Sequence, residues 1–478
     1  MPMRVKADYQ SSLRDKYADN PFVASMPPFM EKEDFDAFMS YKHTLPDDLF
    51  ELLTIDAKEE IDDLKKTYLP LNQSYQLYEH IYVQMRKYYG QVNPLSADAR
   101  RLQNELSISL KSGVAFRQNE AELYSELCPT ILVSGEAGCG KTVTIRKILS
   151  LFPQVIQHQS FAGKPFNNEQ VVYLSFDMQS SKSKKALVYN FFAELDRVLG
   201  LEASKDFIKG ITVVDKLLSA MKLAIHKYSI GIMHIDEFQF ALNRRKASKD
   251  IPTLAELEAL FNKVGVPIIL SATQDAITEF SQNAASAESQ TTAMQSVRRV
   301  SSVAHITFKQ WKHGANATNT FFDVYFPKSI FCASYEIDNK FQIQFLMYAA
   351  GVPHAMTELA IAFVRNFYDL KKKGQVETIS DMSLFLAQVY KVRMQTWHSA
   401  LRVLQNKYSV SGDTSQSETE KTQAEHVKSV LKATKRKSRT NKPANVVANK
   451  IERIEEGEEV INPDSIVADY SKGDFDVL

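Results

Sequence analysis

The stretch Thr130-Ile131-Leu132-Val133-Ser134-Gly135-Glu136-Ala137-Gly138-Cys139-Gly140-Lys141-Thr142 decides how the rest of the chain is read. Thr130–Ser134 is a short apolar run of strand type. A glycine, four residues and Gly-Lys-Thr follow, which is the spacing of a P-loop. Gly135, Gly138 and Gly140, with Glu136, Ala137 and Cys139 between them, let backbone N–H groups curl around phosphate oxygens. Lys141 is expected to reach the β- and γ-phosphates and the Thr142 hydroxyl to ligate Mg²⁺. The helix that opens there, with Val143 in its first turn, adds its partial positive charge. The pattern therefore implies ATP and Mg²⁺ as cofactors.

Outward from this loop, apolar runs alternate with helical patterns. The runs are Val171–Phe176, Ile230–Ile235, Val266–Leu270 and Ala304–Phe308, and the helical stretches lie near 142–151, 184–199, 213–227 and 254–263. Nearly all-apolar strands separated by helices predict a parallel sheet covered on both faces, an α/β core over 116–312. The run Ile230–Ile235 leads into Asp236-Glu237. A carboxylate at the C-terminal end of a buried parallel strand sits where ligands bind in open sheets. Asp236 is expected to hold Mg²⁺, through water, and Glu237 to polarise the attacking water as general base.

The flanks differ in character. Residues 1–115 are polar and mostly helical in pattern, broken by Pro21, Pro27-Pro28 and Pro46; apolar positions from Tyr75 to Tyr89 recur at helical spacing, and Ala97–Ser112 reads as a further helix. This region is expected to be a helical extension that docks partners. Residues 313–408 lose the strand pattern and read as a small all-α unit, with helices over Phe341–Tyr348, Pro353–Tyr368 and Asp381–Tyr408. Residues 409–478 are Ser/Thr-rich, then basic, then acidic, a composition expected to stay disordered or to fold on a partner.

The whole chain has 478 residues, 44% apolar and 24% charged, which excludes whole-chain disorder. Its 58 Lys+Arg against 57 Asp+Glu give a net charge of +1, so contact with nucleic acid must come from local patches. The three cysteines, Cys128, Cys139 and Cys332, form no metal or disulfide pattern and point to a reducing cytoplasm. No apolar run approaches the ~18–20 residues of a membrane span, and the first residues lack the apolar core of a signal peptide.

A catalytic Glu directly after the Asp, with a further strand between that strand and the P-loop in sequence, resembles the AAA+ branch of P-loop ATPases. That resemblance implies three further roles. Thr273, or next Gln274, at the end of Val266–Thr273, matches the polar "sensor 1" residue that orients water or γ-phosphate. Arg298 or Arg299, just before the fifth strand, matches the arginine that reaches a neighbouring subunit's nucleotide. Gly351-Val352-Pro353-His354 resembles the lid phrase that supplies a sensor arginine or simply caps a helix. Here His354 replaces the arginine, which points to slow hydrolysis or to the role lying elsewhere.

Several phrases together resemble the TnsC family, AAA+ regulators of Tns-type bacterial transposons, over about residues 65–405. They are the P-loop with Val143–Leu149, Gln170–Leu174 leading to Ser180–Leu187, Phe192–Gly200, His234-Ile235-Asp236-Glu237-Phe238-Gln239, and Arg298–Trp311. The resemblance implies an ATPase that forms a ring or helical filament on double-stranded DNA. It would link a TnsD/TniQ-like target selector, or TnsE, to a TnsB-like transposase and a TnsA-like endonuclease. Lys182, Lys184 and Lys185 after the second strand, and Arg244 and Arg245 after Asp236-Glu237, are the candidate DNA contacts, since small residues with Lys/Arg suit sequence-neutral phosphate binding. Two alternatives share the core: a helicase-loader or initiator ATPase, and a scaffold that ATP switches without hydrolysis.

Overall fold

The structure, a computed structural model, describes residues 4–10, 15–97, 99, 101, 104–105, 108, 129–178, 184–238, 265–278, 302–331, 337–376, 379 and 381–408. The expected helices at Ala97–Ser112, in large part, and 254–263, the 115/116 boundary and the charged tail lie outside these residues.

The N-terminal region begins with a short strand, β1 (Arg4–Lys6), followed by helices α1 (Pro21–Ala24), α2 (Lys32–Met39), α3 (Thr54–Asp63) and α4 (Asn72–Gln91). Asn20 caps α1, its Oδ1 accepting from the Phe22 N–H at 3.0 Å. The helical spacing from Tyr75 onward becomes one buried stripe of α4: Leu77, Tyr78, Ile81, Tyr82, Met85, Tyr88 and Tyr89. This stripe, with Phe22 and Phe35, belongs to the same hydrophobic core as Ile131, Leu132 and Ile145 of the P-loop region.

Next come β2 (Thr130–Gly135), α5 (Lys141–Leu149), β3 (Val155–Phe161), β4 (Lys164–Val171), β5 (Tyr173–Asp177), α6 (Lys184–Leu199), α7 (Ala203–Ile208), α8 (Val214–Lys227), β6 (Ile232–Asp236), β7 (Ile268–Thr273) and β8 (Ala304–Phe308). The central sheet is five-stranded and parallel, in the order β5-β6-β7-β2-β8. Every residue of β2 and β6 is buried, as strands covered on both faces must be. The fold is the expected α/β core with a parallel sheet and a helical unit beyond it.

Three details depart from the expectation. Val171–Phe176 is not one strand: Val171 ends β4, and the central sheet starts at Tyr173. β3 and β4 form an unexpected hairpin that pairs with β1 in a second sheet, order β1-β3-β4. Its turn is Ala162-Gly163, both at positive φ, not the Asn-Gly or Asp-Gly pair that marks a two-residue hairpin in sequence. Finally, β6 and β7 each start two residues later than expected, past Gly231 and Pro267, and run on to Asp236 and Thr273.

The C-terminal helices are α9 (Asn316–Tyr325), α10 (Asn339–Ala349), α11 (Pro353–Lys372), α12 (Met382–Arg393) and α13 (Gln395–Lys407). The single helix expected over Asp381–Tyr408 is two, separated at Met394, whose ψ of 21° leaves the helical range. Phenylalanine rings fill the space between these helices: Phe326 meets Phe341, Phe345 and Phe363 edge-on at 5.5–5.7 Å. Among the described residues no helix is long and apolar enough to cross a membrane.

Part of the N-terminal region is strapped to α11. Phe50 stacks on Tyr368 at 5.8 Å, Lys372 Nζ donates to the Phe50 carbonyl at 2.9 Å, and Arg365 pairs with Asp62. The Tyr325 hydroxyl donates to the Leu64 carbonyl at 2.9 Å. The chain then crosses from the helical unit to α4 through Thr67–Leu71.

Candidate nucleotide site

The P-loop leaves β2 at Gly135, where a Cβ would lie 2.4 Å from the Phe308 carbonyl oxygen; only glycine lets β2 and β8 approach so closely. At Gly138, φ is +82°, and a Cβ would meet Val352 Cγ1 at 3.0 Å and His354 Cβ at 3.2 Å. The loop thus touches the start of α11, and the His354 N–H donates to the Gly138 carbonyl at 3.2 Å. Lys141 Nζ donates to the loop's own carbonyls, Gly135 at 2.8 Å and Glu136 at 3.0 Å. Burial lowers its pKa, against the pull of the neighbouring Asp236, Glu237 and Glu136. The buried Cys139 thiol is pushed up to about 11 by desolvation, so it is a packing residue and not a thiolate. Burial and the nearby Asp275 raise the Glu136 carboxyl.

Asp236 is 5% exposed at the end of β6. Its Oδ1 accepts from the Glu237 N–H at 2.9 Å and from the Ser271 hydroxyl. Burial disfavours the ionised carboxyl, but the Ser271 and Thr142 hydroxyls and the Glu237 N–H donate to it and favour the carboxylate. Arg146, on α5, reaches Asp177 at 3.1 Å and Asp236 Oδ2 at 3.9 Å. Glu237 leaves the strand at φ +56°, which turns it away from the sheet and into the cleft.

The cleft has a volume of about 660 Å³. It brings together Ala137, Gly138, Cys139, Gly140, Lys141, Thr142, Val143, Asp236, Glu237 and Thr273, all singled out from sequence, and His354. Of the two sensor candidates, Thr273 lines the cleft, whereas Gln274 turns toward β2, its Oε1 accepting from Ser134 Oγ at 3.0 Å. Lys185 is exposed in the first turn of α6, which follows the β5 end bearing Asp177, the same sheet edge as Asp236. The side chain of Lys184 lies outside the described residues, as do Lys182, Arg244, Arg245, Arg298 and Arg299.

Sequence reasoning missed two groups. The strap residues Lys65, Thr67, Tyr68, Leu69 and Leu71 line the cleft together with Tyr325, Thr357 and Glu358. Tyr68 donates its hydroxyl to Thr144 Oγ1 at 2.9 Å, tying the strap to α5. Ser271 and His234 form the second group, beneath Asp236. Its one signal in sequence was a lone histidine within an otherwise apolar strand.

Comparison with known proteins bears on this cleft. Residues 125–279 match the family model of an AAA domain. The matched stretch takes in the P-loop, Asp236, Glu237 and Thr273. It ends before Arg298, Arg299 and the helical unit. No curated protein matches the chain. Among solved structures, a Walker-type ATPase of Pyrococcus abyssi is 13% identical with a TM-score of 0.34, over 64% of this chain and 75% of that one. Drosophila ORC bound to DNA is 14% identical with a TM-score of 0.31, over 70% of this chain and 71% of that one. The FIGL-1 AAA domain is 12% identical with a TM-score of 0.26, over 66% of this chain and 88% of that one. At such values these likenesses carry no argument about activity or partners.

Proposed function

We propose that the chain is an ATPase whose nucleotide state controls self-association on double-stranded DNA, a TnsC-like regulator of transposition. The observation that supports the reading best is the convergence of the P-loop, Asp236-Glu237 and the start of α11 on one cleft, with the Thr142 hydroxyl in reach of Asp236. Lys141 exchanges its two loop carbonyls for phosphate oxygens. Glu237 takes a proton from the attacking water, and Thr273 faces the same space. The residues present suit Mg²⁺: a hydroxyl and a carboxylate are hard oxygen donors, and this ion is usually held by one or two carboxylates plus substrate phosphates. Among the described residues no cluster of His, Cys, Asp or Glu builds a separate all-protein metal cage. When bound, the ion would neutralise charge on the phosphates.

The transposition reading rests on the family phrases from the P-loop to Gln239 and on Arg298 or Arg299 reaching a neighbouring subunit. The selector, transposase and endonuclease partners follow from that same resemblance.

Two variants test it. Lys141→Ala removes a charged donor worth roughly 1.5–3 kcal/mol per hydrogen bond, so ATP affinity falls about 10- to 100-fold and ATP-dependent assembly on duplex DNA, followed by sedimentation, is lost. Glu237→Gln keeps binding and assembly while turnover falls about 10²- to 10⁴-fold. Normal assembly by Lys141→Ala overturns the nucleotide-switch reading.

A further inference from the structure

A row of polar side chains crosses the buried face of the sheet beneath α5. Pairing places Ser175 opposite His234 and Asp177 opposite Asp236, and β7 continues in step so that Ser271 lies level with Asp236. His234 is completely buried, and both ring nitrogens are partnered: Nδ1 with Ser175 Oγ at 2.8 Å and Nε2 with Ser271 Oγ at 3.1 Å. A buried imidazole in a central strand is costly unless both nitrogens are satisfied, and here they are satisfied by a chain that ends on Asp236.

Proton counting gives that chain a direction. An ionised carboxylate only accepts, so the single Ser271 O–H proton goes to Asp236 Oδ1. Ser271 Oγ must then accept from His234 Nε2–H. The neutral ring has a bare Nδ1, which accepts from the Ser175 hydroxyl. With the Glu237 N–H as second donor, Oδ1 is fully used. Oδ2 is the oxygen left for the cleft, with the Arg146 guanidinium 3.9 Å away.

We infer that His234, acting through Ser271, is a positioning residue that fixes the Asp236 carboxylate with Oδ2 presented to the bound cation. This rests on the reading of Asp236 as a Mg²⁺ ligand. Outer partners of metal ligands typically carry about 10- to 100-fold in metal affinity. Without the imidazole N–H the Ser271 hydroxyl is free to rotate, and without Ser271 the carboxylate loses a donor.

The test measures binding of a fluorescent ATP analogue while Mg²⁺ is titrated, for the full chain and for Ser271→Ala, His234→Ala and His234→Gln. Ser271→Ala removes one oxygen and leaves the fold least disturbed; melting curves confirm that each variant is folded. The expected result is a Mg²⁺ midpoint raised about tenfold or more in Ser271→Ala and His234→Ala, with analogue affinity in EDTA unchanged. His234→Gln, which keeps an N–H near the Nε2 position, recovers part of the shift. Met233→Ala, equally buried but on the opposite face of β6, lowers the melting temperature without moving the midpoint. Midpoints within twofold of the parent in both Ser271→Ala and His234→Ala, beside a clear Mg²⁺ dependence of the parent, overturn the positioning role alone. A parent protein whose binding ignores Mg²⁺ overturns the metal reading as well.

Discussion

Gly138→Ala probes the contact between the P-loop and α11, and the structure supplies its own control. Gly138 and Gly163 both sit at positive φ, +82° and +74°. An L-residue there pays a backbone penalty of about 1–2 kcal/mol at either site. The surroundings differ: a Cβ at Gly163 meets nothing within 4 Å, whereas at Gly138 it comes to 3.0 Å from Val352 Cγ1 and 3.2 Å from His354 Cβ. Relief of those contacts moves the start of α11 away and weakens the His354 N–H to Gly138 carbonyl bond, worth about 1 kcal/mol. Overpacking adds at least about another 1 kcal/mol. Gly138→Ala is therefore expected to cost ~2 kcal/mol more than Gly163→Ala. At ~2 °C per kcal/mol for a unit of this size, its melting temperature falls ~4 °C further. The assay is a melting series on both variants without nucleotide, repeated with ATP. ATP restores stability to Gly163→Ala and not to Gly138→Ala, whose loop no longer fits phosphate. Equal melting temperatures for the two variants would show that the loop and α11 are not in contact, and the coupling argued from their geometry would be wrong.

Two further outcomes follow from other parts of the molecule. His226 is buried with its Nε2 unpartnered, and burial, helped by Lys222, lowers its pKa to about 4. The unfolded chain binds this proton more readily, so the stability is present above pH ~6.5 and is lost as pH falls toward 4. His226→Leu should flatten that acid-side loss, up to about 3 kcal/mol, in urea midpoints measured from pH 7 to 4, and an unchanged slope would contradict the assignment. On the strap, Tyr325→Phe deletes the buried hydroxyl that meets Leu64 and Thr357 and should cost about 1 kcal/mol. Lys58→Ala breaks a half-exposed pair with Asp369 at 3.5 Å and should cost less than that. Urea unfolding that ranks them in the reverse order would show that the strap is held by surface charge.

The local parts of this protein were legible before folding. Ala304–Phe308 and Lys184–Leu199 are the strand and helix that hydrophobic pattern predicts over those residues. The P-loop and Asp236-Glu237 could be recognised because their meaning lies in spacing along a few residues, where glycine conformation and strand ends act locally. The Ala162-Gly163 hairpin was hidden because its turn residues carry no strong signal. Tertiary structure alone decided what stands beside what. Nothing near Tyr68 announces Thr144, 76 residues later; nothing in an apolar strand announces that His234 will meet Ser175 on one side and Ser271 on the other. Those meetings depend on strand order and register, which are set by the packing of whole faces against one another and not by any neighbourhood in the chain.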